Sequence, residues 1–367
     1  MKMLWNILRI LSGAVFIFSG FVKATDPLGS TYKITDYLTE FGWSFLTGLS
    51  LPGAVFLSLC EWTIGLCLLT KIRIKEASAL FLLFMAGFTG LTLYIALTNP
   101  VSDCGCFGDA LILSNWETFA KNIVLLFFAL FIFLNRDKFA PERPGKKSWL
   151  WVILFALAGL GLSVYSLRHL PLIDFRPYRV GTDIEKSMEI PEGELPDEFE
   201  TIFYYEKDGV TKAFSEEDYP WNDTTWIWKK TENKLVKQGY TPPIHDFSMI
   251  DEKGIDHVEE LMADQGFSFL VVSWDLTQFS PKSADKIKKL ASFCNQNGHS
   301  FYFLTGSSQK QVEEFKSLQS FDIPIFFTDK IQLKTMIRAN PGIVLIEDGV
   351  IIKKWNFRDF PEPENIL

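Results

Sequence analysis

At 367 residues the chain is long enough for two or more domains, and a hydrophobic fraction of 48% with a mean hydropathy of +0.12 is high for a wholly soluble protein. The charge is divided: the first 170 residues carry 14 Lys+Arg against 10 Asp+Glu and the remainder 22 against 34, so an apolar, slightly basic half precedes an acidic one. No basic patch with interleaved aromatics occurs, which argues against a nucleic-acid partner.

Five apolar runs come first: Trp5 to Phe21, Phe45 to Leu69, Ala77 to Leu97, Phe119 to Leu134 and Trp149 to Leu167. Roughly 20 apolar residues cross about 30 Å of hydrocarbon as a helix, and a helix satisfies its own backbone there. Five transmembrane helices in a lipid bilayer are therefore expected. The first run is read as a span rather than a leader, because no small-x-small cleavage site follows it and further spans do. Lys71, Arg73 and Lys75 lie between the second and third runs, and Arg136, Lys138, Arg143, Lys146 and Lys147 between the fourth and fifth, whereas Asn99 to Thr118 has no Lys or Arg. Cytoplasmic loops retain Lys and Arg, so the pattern predicts a cytoplasmic N-terminus, with the loop after the third helix and everything beyond the fifth outside. In a bacterial inner membrane that side is the periplasm, where disulfides persist.

Pro171 to Pro196 is rich in Pro, Gly and acids and is predicted as a linker or extended surface segment. Phe199 to Tyr205 and Thr225 to Lys229 read as short strands, with a turn at Lys207-Asp208-Gly209. From Ile244 onward strands alternate with helices: strands at 267–274, 300–305, 324–327, 343–346 and 350–355, helices at 282–297, 309–317 and 331–337. That alternation predicts an α/β sheet. The expected organisation is a four-helix membrane domain over 1–136, a cytoplasmic loop and fifth helix over 137–170, a linker with a small β-rich segment over 171–241, and an α/β domain over 242–367.

Chemistry concentrates in Asp103-Cys104-Gly105-Cys106-Phe107-Gly108-Asp109, since only five cysteines occur in the chain. Residues two apart lie at most about 7 Å from each other, and a bend at Gly105 brings them within the range a disulfide accepts. Three readings fit the pair: redox-active, structural bridge, or metal ligand. Metal is the weakest, because none of the four His lies near. A tight bridge suits a donor of disulfides, although the flanking Asp103 and Asp109 are expected to raise a thiol pKa. Cys60 and Cys67 are about 10.5 Å apart along a helix and cannot bridge each other; each reads as a small buried hydrophobe, with one able to face the loop. Cys294 reads as buried. Glu61 near the middle of a span costs about 2.5–3.5 kcal/mol and must be neutral, paired or facing a polar cavity. Arg9 and Lys23 are its candidate partners, Lys23 only by reaching inward. A packing ion pair and a quinone- or proton-handling group both fit.

Arg9-Ile10, Phe18-Ser19-Gly20-Phe21-Val22-Lys23, Glu61 and Asp103-Cys104-Gly105-Cys106-Phe107-Gly108 together resemble the DoxX/MauE family of membrane proteins over about Leu4 to Arg136. The resemblance implies a four-helix core, quinone-coupled or disulfide-related redox chemistry and, in the MauE branch, a role in maturing methylamine dehydrogenase. The fifth helix and the acidic C-terminal half depart from that minimal pattern, and the whole resembles the DoxX-family proteins of Bacteroidetes. Pro242 to Pro361 is similar to thioredoxin-like domains of the TlpA/peroxiredoxin kind, with Pro341 at that fold's cis-proline position. Where the fold would place a CxxC, this chain reads Val271-Val272-Ser273-Trp274-Asp275-Leu276-Thr277-Gln278. Asp and Thr cannot replace a thiolate in exchange chemistry, so this domain is expected to bind a partner or cover the membrane site.

The expected function is therefore thiol-disulfide redox or protein maturation at the membrane, with Cys104 and Cys106 exchanging disulfides with a periplasmic client and electrons passing to a membrane quinone. The alternative is a non-catalytic scaffold that binds a periplasmic assembly partner through its thioredoxin-like domain.

Overall fold

The computed structural model describes residues 1–101, 103–139, 145, 147–237, 239–319, 321 and 323–366; Arg143 and Lys146 lie outside the described residues. Its first half is helical. In order come α1 (Lys2–Thr25), α2 (Pro27–Glu40), a 3-10 segment (Ser44–Leu49) running into α3 (Ser50–Thr70), α4 (Ile74–Thr98), α5 (Asn115–Leu134), the short α6 (Arg136–Phe139) and α7 (Ser148–Arg168). Five segments are long and apolar enough to cross a membrane: α1, Ser44–Thr70, α4, α5 and α7. They match the five expected runs, and the chain is a multi-pass membrane protein.

The bundle buries Trp5, Phe16, Ile64, Leu68, Phe81, Met85, Leu125 and Ile132 in one cluster, while Leu83, Phe127 and Leu157 point outward. Outward apolar side chains are what a helix facing lipid requires. The α1–α3 crossing is close because Gly20 has no side chain: a Cβ there would lie 2.5 Å from Trp62 N and 2.9 Å from Ser58 O. Small residues at such crossings let backbones approach in membranes. Trp62 also donates Nε1–H to the Phe155 carbonyl at 3.1 Å, tying α7 to α3.

Helix α2 was not expected from the sequence. It is too short and too polar to read as a span, yet its start is well marked. The Asp26 side chain accepts from Gly29 N at 3.0 Å and Pro27 occupies the first turn, the arrangement that favours a helix N-terminus.

Beyond α7 and the short α8 (Ile184–Met188), a three-stranded antiparallel sheet is formed by β1 (Glu198–Lys207), β2 (Val210–Phe214) and β3 (Ile227–Lys237), in the order β2-β1-β3. Asp208 and Gly209 both have positive φ, 51° and 76°, as a tight hairpin between twisted strands needs. After α9 (Val258–Ala263), the last domain contains β4 (Phe267–Ser273), α10 (Pro281–Asn297), β5 (Ser300–Thr305), α11 (Gln309–Gln319), β6 (Ile325–Phe327), α12 (Lys330–Met336), β7 (Gly342–Glu347) and β8 (Val350–Asn356). The sheet order is β6-β5-β4-β7-β8; β4, β5 and β6 are parallel, and β7 and β8 antiparallel to their neighbours. A βαβ crossover followed by a β-hairpin, with a cis Asn340–Pro341 bond just before β7, is the thioredoxin-like arrangement expected from the sequence.

One expectation differs. The stretch read as a linker or extended surface segment contributes Tyr178 and Ile184 to the same apolar cluster as Leu270, Val272 and Val344. Asp174, Arg176 and Lys354 hold it in place, with Lys354 Nζ 2.8 Å from Asp174 and Arg176 Nε 2.7 Å from it. Burial pushes the Lys354 amine down to about 8, against the pull of Asp174. The Pro, Gly and acid content marked a surface path, but two apolar side chains anchor it.

A Gly20→Val substitution is expected to force α1 away from α3 and to destabilise the bundle by about 1–3 kcal/mol, the usual cost of overpacking. A lowered thermal midpoint of the detergent-solubilised chain, with Gly20→Ala less affected, is the measurement that checks it.

Candidate functional site: a disulfide in the wall of a bundle cavity

The loop between α4 and α5 is folded by its own residues. Asp103 Oδ1 accepts from Gly105 N at 2.9 Å, an Asx turn of the kind Asp favours. Gly105 follows with φ of 64°. The Ser114 and Glu117 side chains form a capping box that starts α5, and Asn115 Nδ2 reaches Asn99 Oδ1 at 2.8 Å and the Val101 carbonyl at 2.9 Å. Within this frame Cys104 and Cys106 are disulfide-bonded, their Cα atoms 5.5 Å apart.

Beneath the loop lies the buried pair Lys23–Glu61. Lys23 Nζ is 2.8 and 3.0 Å from the two Glu61 oxygens, 2.7 Å from Ser19 Oγ and 2.7 Å from the Cys106 carbonyl oxygen. Ser19 Oγ also lies 2.8 Å from Glu61 Oε2 and 2.7 Å from the Cys106 carbonyl. One ammonium thus neutralises the carboxylate and pins the disulfide loop to the bundle. Of the two cations expected to serve Glu61, the structure selects Lys23. Helical side chains lean toward the helix N-terminus, so Lys23 reaches down past Ser19. Arg9 sits 14 residues earlier, about 21 Å along the axis, and donates instead to the Leu68 and Leu69 carbonyls at the end of α3.

The disulfide forms part of the wall of a cavity of about 170 Å³ inside the bundle. Phe16, Met85 and Leu125 supply apolar wall; Lys23, Glu61 and Lys121 line it with Cys104 and Cys106. Three residues packed around the disulfide loop were not singled out in the sequence. Lys33 of α2 pairs with Asp103 at 2.6 Å. Thr118 Oγ1 lies 3.6 Å from Cys104 Sγ. Lys121 Nζ stands 4.3 Å from the centre of the Phe107 ring. A cation opening an otherwise apolar Phe/Leu run was the available signal for Lys121; Lys33 had none, because α2 itself was unseen.

Cys60 and Cys67 are unbridged, Cys60 half-buried and Cys67 buried, and neither lines this cavity. Cys294 is buried in the C-terminal core, where burial pushes its thiol up to about 12. At the position of a CxxC the C-terminal domain has a polar network: Ser273 Oγ donates to Asn340 Oδ1 at 2.9 Å, Asn340 Nδ2 to the Asp275 carbonyl at 2.8 Å, and Lys330 pairs with Asp275 at 3.1 Å. That network holds Asn340 beside cis-Pro341 without a thiol. Among the described residues no cluster of three His, Cys, Asp or Glu is placed to hold a metal.

The C-terminal domain touches the loop directly. Arg338, 7% exposed, pairs with Asp26 at 2.9 Å and with Asp109 at 3.4 Å, and Lys334 lies over the Tyr32 ring at 4.1 Å. Burial acts to raise the Asp26 pKa, but Arg338, with help from Arg176, outweighs it and holds the carboxyl below its usual range.

Fold and site together define a multi-pass membrane protein that carries a thioredoxin-like domain without cysteines at the exchange position. Residues 1–135 match the family model of methylamine utilisation protein MauE, and the membrane domain is MauE-like. Residues 199–238, which hold most of the three-stranded sheet, match a domain of unknown function, DUF8463. A solution structure from Bacteroides thetaiotaomicron, provisionally named a protein disulfide isomerase, aligns at 14% identity over 32% of this chain and 78% of that chain, with a TM-score of 0.28. No curated protein matches the chain.

Two outcomes follow from this geometry. Glu61→Gln strands the Lys23 charge and is expected to cost about 3 kcal/mol, with the double variant Lys23→Met/Glu61→Gln recovering most of it; thermal midpoints in detergent decide. Because Asp26 is held below its usual range, the stabilisation its ion pair gives to docking is fully present above the ordinary Asp value of about 3.9 and is lost as pH falls through the lower, folded value. Spin-label distances between α2 and α12 should lengthen in that acid range, and Asp26→Asn should lengthen them at neutral pH and flatten the response.

Proposed function

We propose that this chain is a thiol-disulfide redox protein of the bacterial inner membrane, with Cys104 and Cys106 as the exchanging pair and a membrane quinone as the electron acceptor. The observation that carries the reading is the position of the disulfide: it lines an apolar cavity within the bundle, beside a buried Lys–Glu pair. The Lys/Arg-rich loops after α3 and α5 favour a cytoplasmic N-terminus, which leaves the CxC loop and the C-terminal domain in the periplasm. Client thiols would reduce the Cys104–Cys106 bridge and leave as a client disulfide. The resulting dithiol would pass two electrons and two protons to a quinone, giving quinol and restoring the bridge. The cavity fits such a head group chemically: Phe16, Met85 and Leu125 offer apolar wall, and the Lys23 and Lys121 ammoniums line the same space. A bound quinone supplies the two-electron acceptor; the chain's own residues orient the disulfide and hold charge around it.

A second reading, a scaffold for a periplasmic assembly partner, is favoured by the polar network at the CxxC position. In that reading the C-terminal domain binds and the membrane disulfide serves as a staple. The MauE match makes a protein-maturation role a natural setting for either reading.

The two separate in one experiment on the full chain in lipid nanodiscs. After reduction, added short-chain quinone should convert the Cys104 and Cys106 thiols to the bridged form, read as loss of maleimide labelling, and single Cys104→Ser or Cys106→Ser variants in membranes should accumulate mixed disulfides with clients. Quinone-independent labelling together with an absence of mixed disulfides in both variants would sink the redox reading and leave the scaffold.

A further inference from the structure

We propose that the two cysteines hold fixed, unequal roles: Cys106 is the sulfur that a client thiolate attacks, and Cys104 is the leaving thiolate. This rests on the thiol-disulfide reading above and assigns the order of bond exchange within it.

The asymmetry is in what surrounds each sulfur. Cys104 Sγ lies 3.3 Å from the Cys106 backbone N–H and 3.6 Å from the Thr118 hydroxyl. A disulfide sulfur carries no proton, so both contacts are donated to Cys104, and both strengthen when that sulfur becomes an anion. Lys121 is one turn beyond Thr118 on α5, and residues three apart share a helix face. It lines the same cavity as Cys104 and Cys106.

The charges around the loop leave Lys121 in the deciding position. Lys23 is paired with Glu61 and Lys33 with Asp103, while Asp109 faces Arg338. Tyr37 of α2, whose hydroxyl is 3.5 Å from the Asp103 carbonyl, is neutral. The two acids flanking the CxC, which by sequence alone should disfavour a thiolate, each have a cation partner. Lys121 makes no salt bridge among the described residues, and its ammonium stands over the Phe107 ring face. A thiolate that accepts two hydrogen bonds and shares its cavity with a cation is stabilised, and the sulfur whose thiolate is better stabilised leaves faster.

In the exchange, a client thiolate forms a bond to Cys106 Sγ, the Cys104–Cys106 bond breaks, and its electron pair goes to Cys104 Sγ. A second client thiolate then forms the client disulfide and releases Cys106. Both sulfurs are then reduced, and the two electrons leave toward the quinone with two protons.

The test uses the full chain in nanodiscs. Oxidised wild-type protein is treated with glutathione, quenched by alkylation, and the mixed disulfide mapped by mass spectrometry; it should fall on Cys106. In parallel, iodoacetamide should react about threefold faster at pH 7 with Cys104 in Cys106→Ser than with Cys106 in Cys104→Ser, because a pKa lower by about one unit raises the thiolate fraction about tenfold while the less basic thiolate is itself a weaker nucleophile. Lys121→Met should remove most of that difference and Lys121→Arg should keep it. Glutathione on Cys104, equal rates for the two cysteines, or a rate ratio indifferent to Lys121→Met would overturn the assignment. If Lys121→Met fails to fold, the wild-type mapping still decides. Loss of quinone-dependent reoxidation alone counts against the electron acceptor and leaves the rate ratio intact, so the two failures are distinguishable.

Discussion

The Lys23–Glu61 ion pair is the constraint on which the membrane half depends. A carboxylate inside an apolar bundle is tolerated only when it is neutralised and its oxygens are hydrogen-bonded. Both conditions are met by side chains of α1, which is possible only because Gly20 lets α1 and α3 approach at backbone distance. The same ammonium and the Ser19 hydroxyl sit within hydrogen-bonding distance of the Cys106 carbonyl. The disulfide loop is thereby fixed to the charge pair, and displacing either moves the other.

A second set of charges fixes the same loop from the opposite side. Asp103 is held by Lys33 of α2, and Asp109 and Asp26 by Arg338. Arg338 precedes the cis-proline by three residues, so the thioredoxin-like domain meets the membrane half beside its cis-proline loop. The domain has no cysteine at the exchange position and instead fills it with the Ser273–Asn340–Asp275 network. The contacts it makes with the membrane half come instead from Arg338, to Asp26 and Asp109, and from Lys334 over the Tyr32 ring.

Much of this architecture was legible in the sequence because the relevant signals are periodic. Five apolar runs became five spans, and the alternation beyond Ile244 became the β4-to-β8 sheet with Pro341 in cis. Polar recognition was less legible. Glu61 announced that it needed a partner, but Arg9 and Lys23 were both available by composition, and the structure decides: the Lys23 side chain leans past Ser19 to Glu61, while Arg9 is engaged with the carbonyls at the end of α3. Helix α2 failed every span criterion, and with it went Lys33 and the neutralisation of Asp103. Arg338 lies more than two hundred residues from both of its acids, and no local pattern encodes such a contact. The reading of Pro171 to Pro196 as a linker or extended surface segment followed its Pro and acid content and missed that Tyr178 and Ile184 are core residues.

The loop itself is a thin partition. On one face is the bundle cavity of about 170 Å³, and on the other a cleft of about 310 Å³ between the membrane half and the C-terminal domain. Ser30, Lys33 and Gly105 line both. The cavity is walled largely by apolar side chains, and the cleft carries Asp26, Asp109, Arg176 and Arg338. Cys104 and Cys106 line the apolar cavity, and of the residues between them and just after them only Gly105, Gly108 and Asp109 reach the charged cleft. Gly105 is the residue of the CxC common to both compartments: its positive φ sets the bend between the two cysteines, and a Cβ there would stand 3.1 Å from Lys33 Cγ, so the bend and the close approach of α2 to the loop call for the same glycine.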